Sequence, residues 1–411
     1  MSNTNPAPTV PIAQGTAEPE YRLWEPVDVD VAGVFRGLSS DDNAYRERAQ
    51  RFVQEEVRPV VAGIWDRAEY PVHLARRMGQ LDLLRDGVSV PGFPEQSLIA
   101  ACLTTMELAR GDGSIATIAG VQGGLALRSI NSCGSDEQRA RWEEPLARGT
   151  ELGAFALTEP THGSDSVSLE TRARTVEGGF VLDGHKKWIG SGSNGAIAVV
   201  WARGDDGKVQ GFVVPQDSPG YRGTTIEGKV SLRGIWQAHI EFDGVQLPTS
   251  AKLPGANSFK DTAAVLQATR LGVAWAALGQ AHAVYETAVN YAKQRVQFGR
   301  PLAASQIVQN RLAEMLSQLT TLQTLLMGLT RADERGELTG PGASLGKYTA
   351  TRTARDMARN ARDLLGGNGI LLENRVARHF ADLEALHTYE GTETVQALII
   401  GRDITGVGAF V

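Results

Sequence analysis

Cysteine is nearly absent. The 411 residues hold two, Cys102 and Cys133, and neither lies in a CxxC pair, which argues against a disulfide framework or a thiolate zinc site. The seven histidines show no HExxH or similar spacing, so no metal site is expected. No apolar run approaches the roughly 20 residues that span a bilayer. The first 19 residues are polar and proline-bearing and lack the apolar centre of a signal peptide. They read as a loose tail, taken here over residues 1–25, on a cytoplasmic enzyme. The final Ala409-Phe410-Val411 is not a peroxisomal address. A basic excess is missing too: the formal net charge is −6, so nothing draws the whole chain toward nucleic acid or an anionic membrane. Local basic residues must meet any anionic ligand.

What is present is an ordinary globular mixture, 42% hydrophobic and 21% charged. The length suits two or three domains of about 150 residues each. Residues 40–150 read as helices. Ser40-Asp41-Asp42 offers N-caps, and Ser135 with Gln138 forms a capping-box pattern before 139–146. Residues 98–109 are apolar enough for a buried helix, broken by Gly111 and Gly113. From 151 to 250 short β-type runs appear at 180–182, 196–201, 211–214 and 239–242, with Asp183-Gly184 and Asp243-Gly244 as turn signals between them. No crossover helices separate these runs, so an antiparallel sheet is expected. The linker out of it is 248–254. Helical periodicity returns at 266–294, 305–331, 341–365 and 395–402, with Pro341 suited to a first helical turn. Residues 190–195 spell a formal GxGxxG, but the loop leads into a β-type run rather than a helix. It reads as a turn between strands, not a dinucleotide loop.

The segment Thr388-Tyr389-Glu390-Gly391-Thr392 sets one carboxylate between an aromatic ring and a glycine, just behind a helical segment. Alone it would be a solvated turn. Three upstream segments change that reading. They are Ala156-Leu157-Thr158-Glu159-Pro160 with Gly163-Ser164-Asp165, then Trp188-Ile189, then Arg295-Val296-Gln297-Phe298-Gly299. In this order the four closely resemble the acyl-CoA dehydrogenase family of flavoproteins, from about residue 40 to the end. The resemblance implies a mainly α fold with a central β domain: an N-terminal helical domain (26–150), a middle antiparallel β domain (151–257) and a C-terminal helical bundle (258–411). It also implies FAD, an acyl-CoA substrate and a homotetramer.

The resemblance assigns roles residue by residue. Glu390 is the base that removes the α proton of an acyl thioester. Such a base works in a dry pocket, where burial raises its pKa toward neutrality. Its own backbone N–H is one donor to the thioester oxygen. Tyr389 walls the acyl pocket, and Gly391 permits close backbone approach. Phe155, Leu157, Thr158 and Gly163 lie along the flavin, and Ser164 reaches the pyrophosphate or the substrate's pantetheine arm. Trp188 and Ile189 cover the flavin edge. Arg295, Gln297 and Phe298 reach a neighbouring subunit's FAD, with Gln306 as a further contact. Asp363, Leu364, Gly366 and Gly367 present backbone groups to the cofactor. Thr392 and Thr394 complete the FAD site, and Arg270 lies near the CoA.

One departure bears on the electron acceptor. The family's usual Trp-Ile-Thr is Trp188-Ile189-Gly190 here. A hydroxyl is lost, space is expected to open, and Ser191 is the candidate replacement. Plant short-chain acyl-CoA oxidases look similar at this point, at 253–259 and at 343–347. Dioxygen is therefore the alternative to an electron-transfer flavoprotein. The 364–370 and 401–406 segments resemble glutaryl-CoA dehydrogenase. Alignment on Asp112 and Val121-Gln122, however, puts Ala116 where that enzyme has its substrate-binding arginine, and Gly120 at a neighbouring serine. An uncharged short or branched acyl group is expected. Two further readings are a non-catalytic binding member and an enzyme acting on a carrier-protein thioester.

Overall fold

The computed structural model describes residues 20–409. The expected tail over 1–19 and the last two residues lie outside the described residues. Residues 20–25, read above as tail, are packed. Tyr21 stacks on Tyr291 with ring centroids 4.9 Å apart, and Leu23 is buried. Asn290 donates to the Glu25 carbonyl at 2.7 Å. Aromatic and apolar side chains among the polar residues supply the reason: they find a groove on a long helix.

The first part is helical: α1 (Ser40–Phe52), α2 (Val61–Arg67), α3 (Val72–Gln80), α4 (Leu98–Gly111), α5 (Gly113–Ala119), α6 (Arg128–Cys133) and α7 (Asp136–Ala147). The Ser135–Gln138 capping box forms at the start of α7. A second box forms at Ser39–Asp42, just outside the start of α1. Asp112 caps α5 by accepting from the Ser114 N–H. Between α5 and α6 the chain widens into π-helical turns over Gly120–Leu127, a form that often marks functional sites.

The middle part is one seven-stranded sheet. Its strands are β1 (Gly153–Ala156), β2 (Arg172–Val176), β3 (Gly179–Gly190), β4 (Ile197–Gly204), β5 (Val209–Pro215), β6 (Tyr221–Thr225) and β7 (Gln237–Pro248), ordered β1-β4-β2-β3-β7-β6 with β5 on β4. Most pairs are antiparallel, but β4 runs parallel to both β1 and β2. The β2–β3 hairpin lies between β1 and β4 in sequence and supplies the crossover that parallel pairing needs. Asp183-Gly184 and Asp243-Gly244 do not end strands. Both lie inside the long β3–β7 pair, where the register shifts between Leu182 and Gly184. The Gly244 N–H donates to Asp183 Oδ1 at 2.8 Å. Turn-type residues here make a bulge instead of a hairpin.

The last part is a bundle of α8 (Phe259–Gln294), α9 (Gln306–Glu334), α10 (Gly340–Leu364), α11 (Val376–Thr388) and α12 (Glu393–Thr405), with a small hairpin, β8 (Val296–Gln297) and β9 (Arg300–Pro301), after α8. Pro341 sits in the first turn of α10. At 1.5 Å per residue, α8 is about 54 Å long. It lies between α4 and α10 and is buried almost without interruption from Val273 to Ala292. Its apolar face therefore runs all round. One hydrophobic core joins the two helical parts, and separate cores lie on the two sides of the sheet.

The wide turn at Gly120–Leu127 is pressed onto the loop after α3. A methyl on Gly123 would sit 1.7 Å from the Leu84 carbonyl oxygen, whereas one on Gly120 would meet nothing within 4 Å. Gly123→Ala should therefore destabilise by about 3 kcal/mol or more, and Gly120→Ala should leave the melting temperature near that of the parent. Thermal denaturation of the two variants checks this, and equal melting temperatures would contradict it.

Candidate active site

Glu390 occupies the turn between α11 and α12 with φ of +51°, a left-handed conformation that side-chain-bearing residues rarely adopt. Two side-chain donors hold that turn. Lys347 Nζ, on α10 and 1% exposed, donates to the carbonyl oxygens of Tyr389 and Gly391. Gln396 Nε2 donates to the carbonyls of Glu390 and Gly391 at 3.1 and 3.0 Å. Gly391 has φ of +85°, and a methyl there would meet Gln396 Nε2 at 2.5 Å. The glycine is required on both counts. The Glu390 N–H has no acceptor among the described residues and is left available to a ligand oxygen.

The Glu390 carboxylate points inward. Thr269 Oγ1, on α8, donates to its Oε2 at 2.9 Å. Burial raises its pKa, while Lys347, the Thr269 hydroxyl and Arg270 oppose the rise. The same burial pushes Lys347 down to about 7, against the pull of Glu390. Arg270 follows Thr269 and donates to Ser344 Oγ at 3.2 Å. Tyr389 covers the other side, its side chain near Thr117 of α5. Sequence reasoning identified Glu390, Tyr389, Gly391 and Arg270, which the fold brings together. It missed Thr269, Thr117 and the role of Lys347.

The flavin-side segments lie together in the middle part. Lys186 is fully buried and bonds the Leu157 carbonyl at 3.0 Å and Glu159 Oε1 at 2.9 Å. The Lys187 N–H donates to the Thr158 carbonyl at 2.8 Å. The 157–159 segment is thereby pinned beside Trp188. Trp188 is 53% exposed with φ of +67°, so its indole stands out from the sheet. Neighbouring strand residues face opposite ways, and Ile189 is buried in the sheet core. The Phe155 ring is likewise turned inward against Trp201. Both side chains are turned into the core. Thr158 is half-buried, and Gly163 and Ser164 are exposed.

The space expected at Gly190 is filled. A methyl there would lie 2.9 Å from Val121 Cγ2 and 3.4 Å from Ile235 Cδ1. Ser191 is no substitute donor. It is fully buried, and its hydroxyl is held by Tyr70 and Gln122, both at 3.2 Å. The remaining candidates lie on other elements, except Thr392 and Thr394, which follow Glu390 at the start of α12. Phe298 stands fully exposed at the tip of the β8–β9 hairpin, with Gln297 beside it. Arg295 bonds the Tyr21 hydroxyl at 3.0 Å. Gln306 is exposed at the start of α9. Asp363 pairs with Arg311 at 2.8 Å next to Leu364, and Gly366 and Gly367 have open space above them. Thr392 caps α12, and Thr394 is exposed.

Models of the N-terminal, middle and C-terminal domains of acyl-CoA dehydrogenase match residues 39–150, 154–245 and 259–405. The chain belongs to the acyl-CoA dehydrogenase family. It is 33% identical to a Bacillus subtilis acyl-CoA dehydrogenase over 88% of this chain and 97% of that one. To the human mitochondrial short-chain specific acyl-CoA dehydrogenase it is 32% identical, over 85% of this chain and 86% of that one. Two structures of glutaryl-CoA dehydrogenase from Mycobacterium smegmatis superpose with TM-scores of 0.90. They are 41% and 36% identical, cover 93% of this chain and 99% and 98% of theirs, and the second is in complex with FADH2. This acyl-CoA dehydrogenase is an oxidoreductase with FAD as its cofactor. The geometry fits that group: an exposed indole beside a pinned strand, and glycines at 163, 366 and 367 with nothing above them. Among the described residues no helix is long and apolar enough to cross a membrane.

Lys347 combines two tasks, holding the turn and keeping the Glu390 pKa below what burial alone would impose. Lys347→Met should lower kcat on the order of tenfold to a hundredfold. It should also move the acid limb of the pH–rate profile to higher pH, because the cation that favoured the carboxylate is gone. A lower rate with the acid limb unmoved would leave Lys347 a purely structural part.

Proposed function

We propose that this enzyme carries out α,β-dehydrogenation of a short or branched, uncharged acyl-CoA to the 2-enoyl-CoA, with Glu390 as the base and an electron-transfer flavoprotein as the final electron acceptor. The observation that carries the reading is a half-buried carboxylate on a locked left-handed turn, bonded to Thr269 and followed by Gly391. Bound FAD supplies the hydride acceptor that no side chain can provide. The chain's residues do the rest. Glu390 takes the α proton, and burial keeps it basic enough to do so. Its N–H is free to receive charge developing on the thioester oxygen. Thr269 fixes the carboxylate rotamer, and Tyr389 with Thr117 closes the wall.

Two features support the finer choices. Val121 fills the place beside Gly190, so the missing threonine opens no chamber there, which favours a dehydrogenase over an oxidase. Exposed Val296, Phe298 and Ile307 flank the β8–β9 hairpin, an apolar surface suited to a neighbouring subunit. It supports assembly as a homotetramer, which we place in the cytoplasm.

Anaerobic mixing of holoenzyme with butyryl-CoA should bleach the flavin, and the bleached state should persist in air until an electron-transfer flavoprotein is added. Rapid reoxidation with stoichiometric peroxide would establish an oxidase instead. Glu390→Gln should retain FAD and slow bleaching by about a thousandfold; unslowed bleaching would place the base elsewhere. Glutaryl-CoA should be used at least about tenfold less efficiently than butyryl-CoA, since neither Ala116 nor Gly120 can pair a distal carboxylate and a buried unpaired charge costs several kcal/mol. Equal kcat/KM for the two would refute this.

A further inference from the structure

Beside Gly120 lies a small cavity of about 10 Å³, the space of one water molecule. Asp86, Gln96, Thr104 and Thr105 line it together with Gly120 and a few apolar side chains. Two of these polar groups are already engaged. Gln96 Oε1 accepts the Gly87 N–H at 2.9 Å, and the Thr104 hydroxyl donates to the Ala100 carbonyl at 2.8 Å. Asp86 is different. Arg128 is its ion partner, at 3.5 Å, and Arg128 gives its shorter bond, 2.5 Å, to the Asp86 backbone carbonyl. Arg85, next in sequence, is occupied by Asp82, Tyr45 and two carbonyls.

The Asp86 carboxylate is also close to the chemistry. A methyl on Gly124 would lie 2.7 Å from Asp86 Oδ2 and 3.1 Å from Thr269 Cγ2. The two side chains thus meet over the same glycine, and Thr269 is the residue that holds Glu390. One turn earlier Gly120 leaves its own space open. Asp86 Oδ2 and Thr269 Cγ2 thus fill the space over Gly124, and Asp86 lies one side chain beyond the residue that bonds Glu390.

We propose that Asp86 is the end wall of the acyl pocket and selects acyl groups whose distal carbon bears a hydroxyl, while rejecting those that end in a carboxylate. This rests on the reading of Glu390 as the base. A hydroxyl donates to Asp86 within the space of one water. A methyl adds no donor to the one that Arg128 offers, and a distal carboxylate meets a like charge. Arg128 stands behind Asp86 and is masked by it, so removing the Asp86 charge exposes a cation.

The test is calorimetric binding of unreactive CoA thioethers to the FAD-loaded enzyme: S-butyl-, S-(4-hydroxybutyl)- and S-(4-carboxybutyl)-CoA. The wild type should bind the hydroxybutyl compound about tenfold more tightly than the butyl compound, and the carboxybutyl compound most weakly. Asp86→Asn should reduce the hydroxyl preference to about twofold and tighten the carboxybutyl compound about tenfold through Arg128. Equal wild-type affinities for the butyl and hydroxybutyl compounds overturn the inference, whether or not the variant folds. So does a hydroxyl preference that Asp86→Asn leaves intact. Flavin bleaching by butyryl-CoA, measured on the same preparation, judges the dehydrogenase reading separately: bleaching with no hydroxyl preference removes only the role of Asp86, and its absence removes both.

Discussion

A lysine ammonium with almost no access to water determines where Glu390 stands. Taking such a charge out of water costs several kcal/mol unless hydrogen bonds and a countercharge receive it. Lys347 finds both at one place, the carbonyls of Tyr389 and Gly391 and the carboxylate of Glu390. The turn has the opposite need. A left-handed residue followed by a left-handed glycine aims carbonyls inward, and a strained non-glycine conformation costs on the order of 1–3 kcal/mol. Each difficulty is resolved by the other. The cation donates to the Tyr389 carbonyl and shares the Gly391 carbonyl with Gln396, and the strained turn supplies the acceptors that let the cation be buried. Glu390 is thereby held in one conformation before any substrate arrives, which is the preorganisation that proton abstraction requires.

The turn is only as well placed as α11, and α11 is anchored from all three parts of the chain. Asp382, at its middle, accepts from Trp65 Nε1 of α2 at 3.2 Å and from the Leu232 N–H, in the segment between β6 and β7, at 2.5 Å. Burial and the nearby Asp112 carboxylate push its pKa up to about 8, against those two bonds and Arg378. Arg378 in turn faces Asp112 at 3.5 Å, and Arg375 faces Glu286 of α8, also at 3.5 Å. A buried polar network of this kind adds little net stability but penalises misalignment heavily. It ties helices of the first part, a loop of the sheet and the bundle to one orientation of the helix that carries Glu390.

Much of this was legible in the residues, and the failures have physical causes. The three-part order, the long helices and the capping box at Ser135 follow from periodicity and local chemistry, which act over a few residues. Asp183-Gly184 and Asp243-Gly244 misled because a bulge and a hairpin use the same residue types, and only the partner strand decides between them. Phe155 and Ile189 were placed by resemblance in the cofactor lining, while strand alternation turns their side chains to the core. Lys347 could have been found. Along α10 it falls on the stripe of Ala343, Ala350, Ala354, Met357 and Ala361, all buried, and a cation at a core position of an otherwise small, apolar stripe signals a specific acceptor. Thr269 and Asp86 carry no such local signal. Their meaning depends on Gly124, 145 residues before Thr269 in the chain, being bare enough for both to meet above it.

The glycines decide the shape of the reaction space by two different routes. At Gly190 a side chain is missing, yet no room results, because Val121 from the wide π-helical turn occupies the volume. At Gly120, one residue before Val121, a side chain is missing and room does result. The extra residue that widens this turn rotates its neighbours relative to a regular helix, so adjacent positions serve opposite ends of the pocket. One closes the space beside the sheet, and the other opens it toward Asp86. A substitution that returned Gly120–Leu127 to regular α-helix would therefore disturb the packing at Gly190 and the cavity beside Asp86 together. The packing at Gly190 and the space beside Asp86 are thus coupled through a single backbone irregularity, and a comparison of side chains aligned one by one treats as independent two features that this turn sets jointly.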